Sequence, residues 1–180
     1  MTILILHGLQ GYAGENWGQW LQDQLVAKGH TVIMPTLPKA DHPDRAEWLR
    51  TVEDLLKDVD HDQLVVVAHS LGVVTAQDYA EGHEFRGLVS VSGFASPYGH
   101  PMNEYFVAKH WIDPHMVRDN IKKIAIFYGD NDPHVSREAL VELPREFGVR
   151  PTIIHGGGHL NAAAGFTEFP ALLAVVEKMA

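Results

Sequence analysis

The chain has 180 residues, the length of one domain with a single substantial core. Its 46% hydrophobic and 21% charged residues are ordinary for a soluble globular protein. Lys and Arg number 14 against 23 Asp and Glu, a net charge of −9 with no basic cluster, which argues against nucleic acid or an anionic membrane as partner. There is no cysteine, which excludes disulfides, thiolate zinc sites and a cysteine nucleophile.

The first run, Thr2-Ile3-Leu4-Ile5-Leu6, lacks the basic flank and cleavage site of a leader peptide and reads as a buried strand. No apolar run approaches the roughly 20 residues of a membrane helix, so a soluble, cytoplasmic protein is expected. A helical pattern near 17–28 ends at Gly29, and a strand is expected near 31–34. Pro43 then opens a helix near 44–59, with Ala46, Leu49, Val52, Leu55, Leu56 and Val59 on one face. Strands near 64–68, 87–91, 124–128 and 151–154 alternate with helices near 71–81, 137–147 and 168–179. Runs as apolar as Leu64-Val65-Val66-Val67-Ala68 are expected where helices cover both faces of a parallel sheet. The alternation thus predicts one α/β domain, a doubly wound sheet without repeats or linkers. Ligands in such sheets sit beyond the carboxyl ends of the strands. The chemically distinctive residues gather there: His7-Gly8, His69-Ser70, Ser92-Gly93-Phe94, Asp130 with Asp132, and His159.

Val66-Val67-Ala68-His69-Ser70-Leu71-Gly72 is a strand, a tight turn and a helix start, matching the G-x-S-x-G nucleophile elbow with Ala68 for the first glycine. Small residues flank such a serine because the strained turn brings backbones close together. The turn lifts the hydroxyl to a helix N-terminus, where the N–H of Leu71 faces an oxyanion. The competing reading of Ser70 is an ordinary helix N-cap.

A serine nucleophile needs a base, and the base needs an orienting acid, in the chain order Ser, Asp or Glu, His. His159, after the glycine loop Gly156-Gly157-Gly158, is the expected base, and Asp132 the expected acid. Asp130 is the rival acid and His155 the rival base; His155 closes its strand and is expected to be packed or hydrogen-bonded. The second oxyanion donor should come from His7-Gly8-Leu9-Gln10-Gly11, with the Leu9 N–H preferred and Gln10 the alternative. His7 is expected to bond the backbone.

Gly8-x-x-Gly11-x-x-Gly14 lacks the dinucleotide spacing, and no Walker-type phosphate loop occurs. Twelve histidines raise the question of a metal, but no H-E-x-x-H is present, and neither metal nor cofactor is expected. Between Gly93 and Lys123 lies a short cap segment of one or two small helices, rich in aromatics and methionines. Phe94 and Trp111 from it, with Gln10 and Trp17, are the expected pocket residues, roofing a modest apolar site for a small to medium acyl group. Core packing is the alternative for each of these aromatics.

The chain as a whole resembles the small serine hydrolases typified by retinoblastoma-binding protein 9 and the bacterial YdeN proteins. The resemblance rests on the opening strand into His7-Gly8, Asn16-Trp17 with Trp20, Pro35-x-Leu37-Pro38, Trp48, His69-Ser70-Leu71-Gly72, Asp132-Pro133 and Gly157-Gly158-His159-Leu160-Asn161. It implies a compact α/β-hydrolase lacking the first two strands of the larger fold, with a parallel sheet in the order 2-1-3-4-5-6. It also implies a Ser-Asp-His triad, which falls on Ser70, Asp132 and His159, and a serine hydrolase of esterase or peptidase type. The L-x-C-x-E docking sequence behind the family's partner-binding name cannot exist in a chain without cysteine. The expected function is hydrolysis of small-molecule esters. Alternatives are a peptidase or thioesterase with the same triad, or a non-catalytic binding module on the same shell.

Overall fold

A computed structural model describes residues 1–179. The strands are β1 (Thr2–Leu6), β2 (Thr31–Ile33), β3 (Leu64–His69), β4 (Phe85–Val91), β5 (Ile121–Gly129) and β6 (Thr152–Ile154). The helices are α1 (Gly18–Ala27), α2 (Arg45–Leu56), α3 (Gly72–Gly82), α4 (Glu104–Val107), α5 (Pro114–Asn120), α6 (Arg137–Glu146) and α7 (Pro170–Met179). All six strands run parallel in the order β2-β1-β3-β4-β5-β6, the sheet expected for a compact α/β-hydrolase.

Alternating side chains explain why the central strands are apolar throughout. Leu4, Leu6, Val66 and Ala68 pack on one face with residues of α2, α3, α5 and α6. Ile3, Ile5, Val65 and Val67 pack on the other face with residues of α1 and α7. Since β1 and β3 are covered on both sides, each position is driven inward, at about 1.5–3 kcal/mol per fully buried aliphatic side chain. Helix starts follow the local chemistry. Asp44 accepts the Glu47 N–H, Ser136 accepts the Ala139 N–H, and Asp113 before Pro114 accepts from His115 and Met116.

Some boundaries differ from expectation. Strands β4 and β5 begin earlier, because Phe85 pairs with Ile121 and the ladder continues through Lys123, whose charge hides the strand in the hydropathy pattern. Helix α2 stops at Leu56, where the Val59 N–H closes a tighter turn onto the Leu56 carbonyl.

The cap segment carries two small helices, α4 and α5. Buried Arg45 holds it down: the guanidinium pairs with Asp78 of α3 through Nε–Oδ2 at 2.8 Å and Nη2–Oδ1 at 2.6 Å. Its Nη1 donates to the Phe106 and Val107 carbonyls at 3.3 and 2.6 Å, C-terminal carbonyls of α4, and to the His110 carbonyl beyond that helix at 2.9 Å.

Candidate active site

Ser70 sits between β3 and α3 with φ of +53°, a left-handed conformation that a non-glycine residue adopts only under constraint. The turn is possible because its neighbours lack side chains. A Cβ on Gly8 would come 2.9 Å from Ser70 Cβ, and one on Gly72 would overlap the His7 carbonyl oxygen. The Ser70 N–H is anchored to the Val91 carbonyl at 2.9 Å, leaving the side chain at the carboxyl end of the sheet.

His159 and Asp132 meet on the next loops. His159 Nδ1 donates to Asp132 Oδ2 at 2.8 Å, which leaves Nε2 as the proton-accepting nitrogen. Asp132 Oδ1 accepts the His134 and Val135 N–H groups at 2.8 and 3.0 Å. Burial alone would raise the Asp132 carboxyl. The bonds from His159 and from the two amides outweigh it and hold the group below the usual carboxylate range. Asp130, the rival acid, instead accepts from Gly156 N–H and pairs with His155, whose side chain is 89% exposed and faces solvent.

The loop carrying His159 is tied down from four sides. Asn131 Oδ1 accepts the Gly158 N–H at 2.8 Å, and Asn16 Oδ1 accepts the Ala162 N–H at 2.9 Å. The Trp17 indole donates to the Leu160 carbonyl at 3.0 Å. His69 Nε2–H donates to the carbonyl of His159 itself at 2.9 Å, with the two rings 4.7 Å apart. Burial, with His159 alongside, pushes His69 down to about 3, so its ring stays neutral and its donor tautomer is kept. His7 has the structural role expected of it. Its Nδ1–H donates to the Gly8 carbonyl and its Nε2 accepts the Leu37 N–H, both at 2.8 Å.

Ser70 and His159 open onto one cleft of about 340 Å3. Leu9 and Gln10 border it. The Gln10 N–H is used on the Ala40 carbonyl at 2.6 Å, whereas no acceptor is recorded among the described residues for the N–H of Leu9 or Leu71.

The other pocket residues are corrected by the structure. Phe94 is fully buried in the core, where it packs edge-on against Tyr98, and does not border the cleft. Trp111 is 73% exposed and does not border the cleft; it directly follows His110, whose carbonyl Arg45 holds. Trp17 is buried behind the cleft and holds the His159 loop. The lining is therefore polar rather than apolar. Glu15, Asn16, Asn103 and Asn161 share it with His100 and His134. Glu15 carries little signal in the sequence, the only local one being its position beside the landmark Asn16-Trp17. Burial pushes its carboxyl up to about 7, against the opposing pull of His159 and the Tyr12 backbone.

No helix among the described residues is long and apolar enough to cross a membrane. The Bacillus subtilis (strain 168) protein YdeN is 26% identical over 180 residues, spanning 97% of this chain and 93% of the relative. The crystal structure of the B. subtilis ydeN gene product superposes with a TM-score of 0.90 at 24% identity, over 99% of this chain and 97% of that one. The monoacylglycerol lipase of Paleococcus ferrophilus shares the fold at a TM-score of 0.71 and 16% identity, over 99% and 95% of the two chains. The sequence model of the serine hydrolase family matches residues 3–178, so the chain belongs to that family.

Proposed function

We propose that the chain is a single-domain carboxylesterase for small to medium acyl esters, working through Ser70, His159 and Asp132. The observation that carries this reading is the joint placement of a strained Ser70 and an Asp132-paired His159 on one cleft. His159 Nε2 takes the Ser70 proton as Oγ attacks the ester carbonyl, and the Leu9 and Leu71 amides receive the developing oxyanion. Collapse of that intermediate expels the alcohol, which takes the proton from His159 and leaves an acyl-Ser70. Water, deprotonated by the same imidazole, then releases the acid. Asp132 keeps the proton on Nδ1 and stabilises the imidazolium, and no metal or cofactor is needed for any of these steps.

The test is covalent labelling with a fluorophosphonate probe, followed by a series of p-nitrophenyl esters of increasing chain length. Wild type should label and hydrolyse the shorter esters, and Ser70→Ala should do neither. A folded wild type that neither labels nor cleaves a small activated ester would overturn the proposal and leave the binding-module reading.

A further inference from the structure

Glu15 borders the same cleft as Ser70 and His159, although ester hydrolysis as described gives it no task. Its carboxyl lies against the turn that follows β1. A Cβ on Gly11 would collide with Glu15 Oε1, and it would lie 2.9 Å from the carboxyl carbon and 2.8 Å from His7 Nδ1. Gly8, at the other end of that turn, packs on Ser70. The carboxyl thus stands one short turn from the proposed nucleophile. It is also held there, because the next two residues bind the His159 loop through Asn16 Oδ1 and the Trp17 indole.

What the carboxyl lacks is a permanent counter-charge; the one cationic pull on it among the described residues is that of His159. Apart from the Tyr12 backbone, no donor to it is recorded among the described residues, and no Lys or Arg borders the cleft. His7 has both ring nitrogens engaged with backbone groups and is held neutral by burial, and His69 is likewise neutral. Burying a carboxylate without a cation is costly, which is why burial raises this one. A cation arriving with the substrate would remove that cost. Tyr98, on the same cleft, supplies an aromatic ring of the kind that attracts ammonium groups.

We propose that Glu15 is a cation subsite, so that the preferred substrates are esters carrying an ammonium group a few bonds from the scissile carbonyl. This rests on the esterase reading above and narrows its substrate class. A rival role, in which Glu15 only favours the imidazolium of His159, would accelerate charged and neutral esters alike. The comparison therefore has to be a ratio.

The experiment uses two matched pairs on the whole chain. One pair places the charge on the alcohol, as butyrates of choline and of 3,3-dimethylbutanol. The other places it on the acyl group, as 4-aminobutyrate and pentanoate esters of one alcohol. At pH 8 the wild type should favour the charged member of at least one pair by about tenfold in kcat/KM, mainly through KM, and Glu15→Gln should bring that ratio to within about twofold of unity.

The wild-type ratio should also climb between pH 6 and 8, as the Glu15 carboxyl, raised to about 7, becomes charged. The titratable groups facing it are His7 after β1, His69 at the end of β3 and His159 after β6, with His100 and His134 on the same cleft. Any effect of pH on the chemical steps common to both esters of a pair cancels in the ratio. Wild-type ratios near one in both pairs, or a preference that survives in Glu15→Gln, overturn the inference. If fluorophosphonate labelling and neutral-ester hydrolysis persist in that case, the esterase reading still stands. Silence toward all four esters overturns the inference; with no fluorophosphonate labelling and no cleavage of a small activated ester either, it overturns the esterase reading as well. Should Glu15→Gln fail to fold, the wild-type ratios and their pH dependence decide the matter.

Discussion

Replacing Trp17 with Phe separates a residue that touches substrate from one that holds the His159 loop. The indole is 2% exposed and donates to the carbonyl of Leu160, adjacent to His159, at 3.0 Å. Phe keeps most of the ring but leaves that buried carbonyl without a donor, at a cost of about 1–3 kcal/mol. The smaller ring adds roughly 1 kcal/mol for the space left behind. For a chain of this length each kcal/mol lowers the melting temperature by about 2–4 °C, so a fall on the order of 5–15 °C is expected. Leu160 holds a strained φ of +48°, and the freed loop should relax there and displace His159. The expected kinetic result is a kcat lower by about tenfold to a hundredfold, with KM little changed. Calorimetry together with steady-state hydrolysis of a short p-nitrophenyl ester measures both. An unchanged melting temperature with an altered KM would refute this account and return Trp17 to the substrate pocket.

Asp132→Asn keeps the shape of the site but removes the charge that fixes the His159 tautomer, and kcat should fall by about 10^3–10^4 with KM nearly constant. Because the folded-state Asp132 carboxyl is held below its usual range, its contribution to stability is present at neutral pH and is lost as pH falls below about 4. Melting temperature should accordingly drop less steeply below pH 4 in Asp132→Asn than in wild type; identical slopes would count against the pairing. Arg45→Ala leaves Asp78 buried without a partner and uncaps α4, so denaturant titration should show a loss of about 3–5 kcal/mol. A loss below about 1 kcal/mol would mean that the cap does not depend on this clamp.

The amino-acid sequence by itself determined the sheet and the reactive strand ends. Runs such as Leu64–Ala68 have only one stable environment, the interior of a sheet covered on both faces. The glycines at 8 and 72 leave room for a turn tight enough to strain Ser70. These are short-range constraints, written into neighbouring residues. The choice between Asp130 and Asp132 as partner of His159 belongs to the tertiary structure, because both stand on one turn and only the path of the 155–159 loop brings His159 to Asp132. The same holds for the aromatics: nothing local distinguishes Phe94 in the core, Trp111 in solvent and Trp17 behind a distant loop. Glu15 was illegible for the same reason. A half-buried carboxyl without a permanent counter-charge is defined by what surrounds it, and its surroundings come from Gly11, His7 and the His159 loop, segments up to 144 residues away in the chain (from 15 to 159). Local pattern sets backbone conformation and burial period, whereas the charge and polarity of a cleft are sums over segments that meet only when the chain has folded.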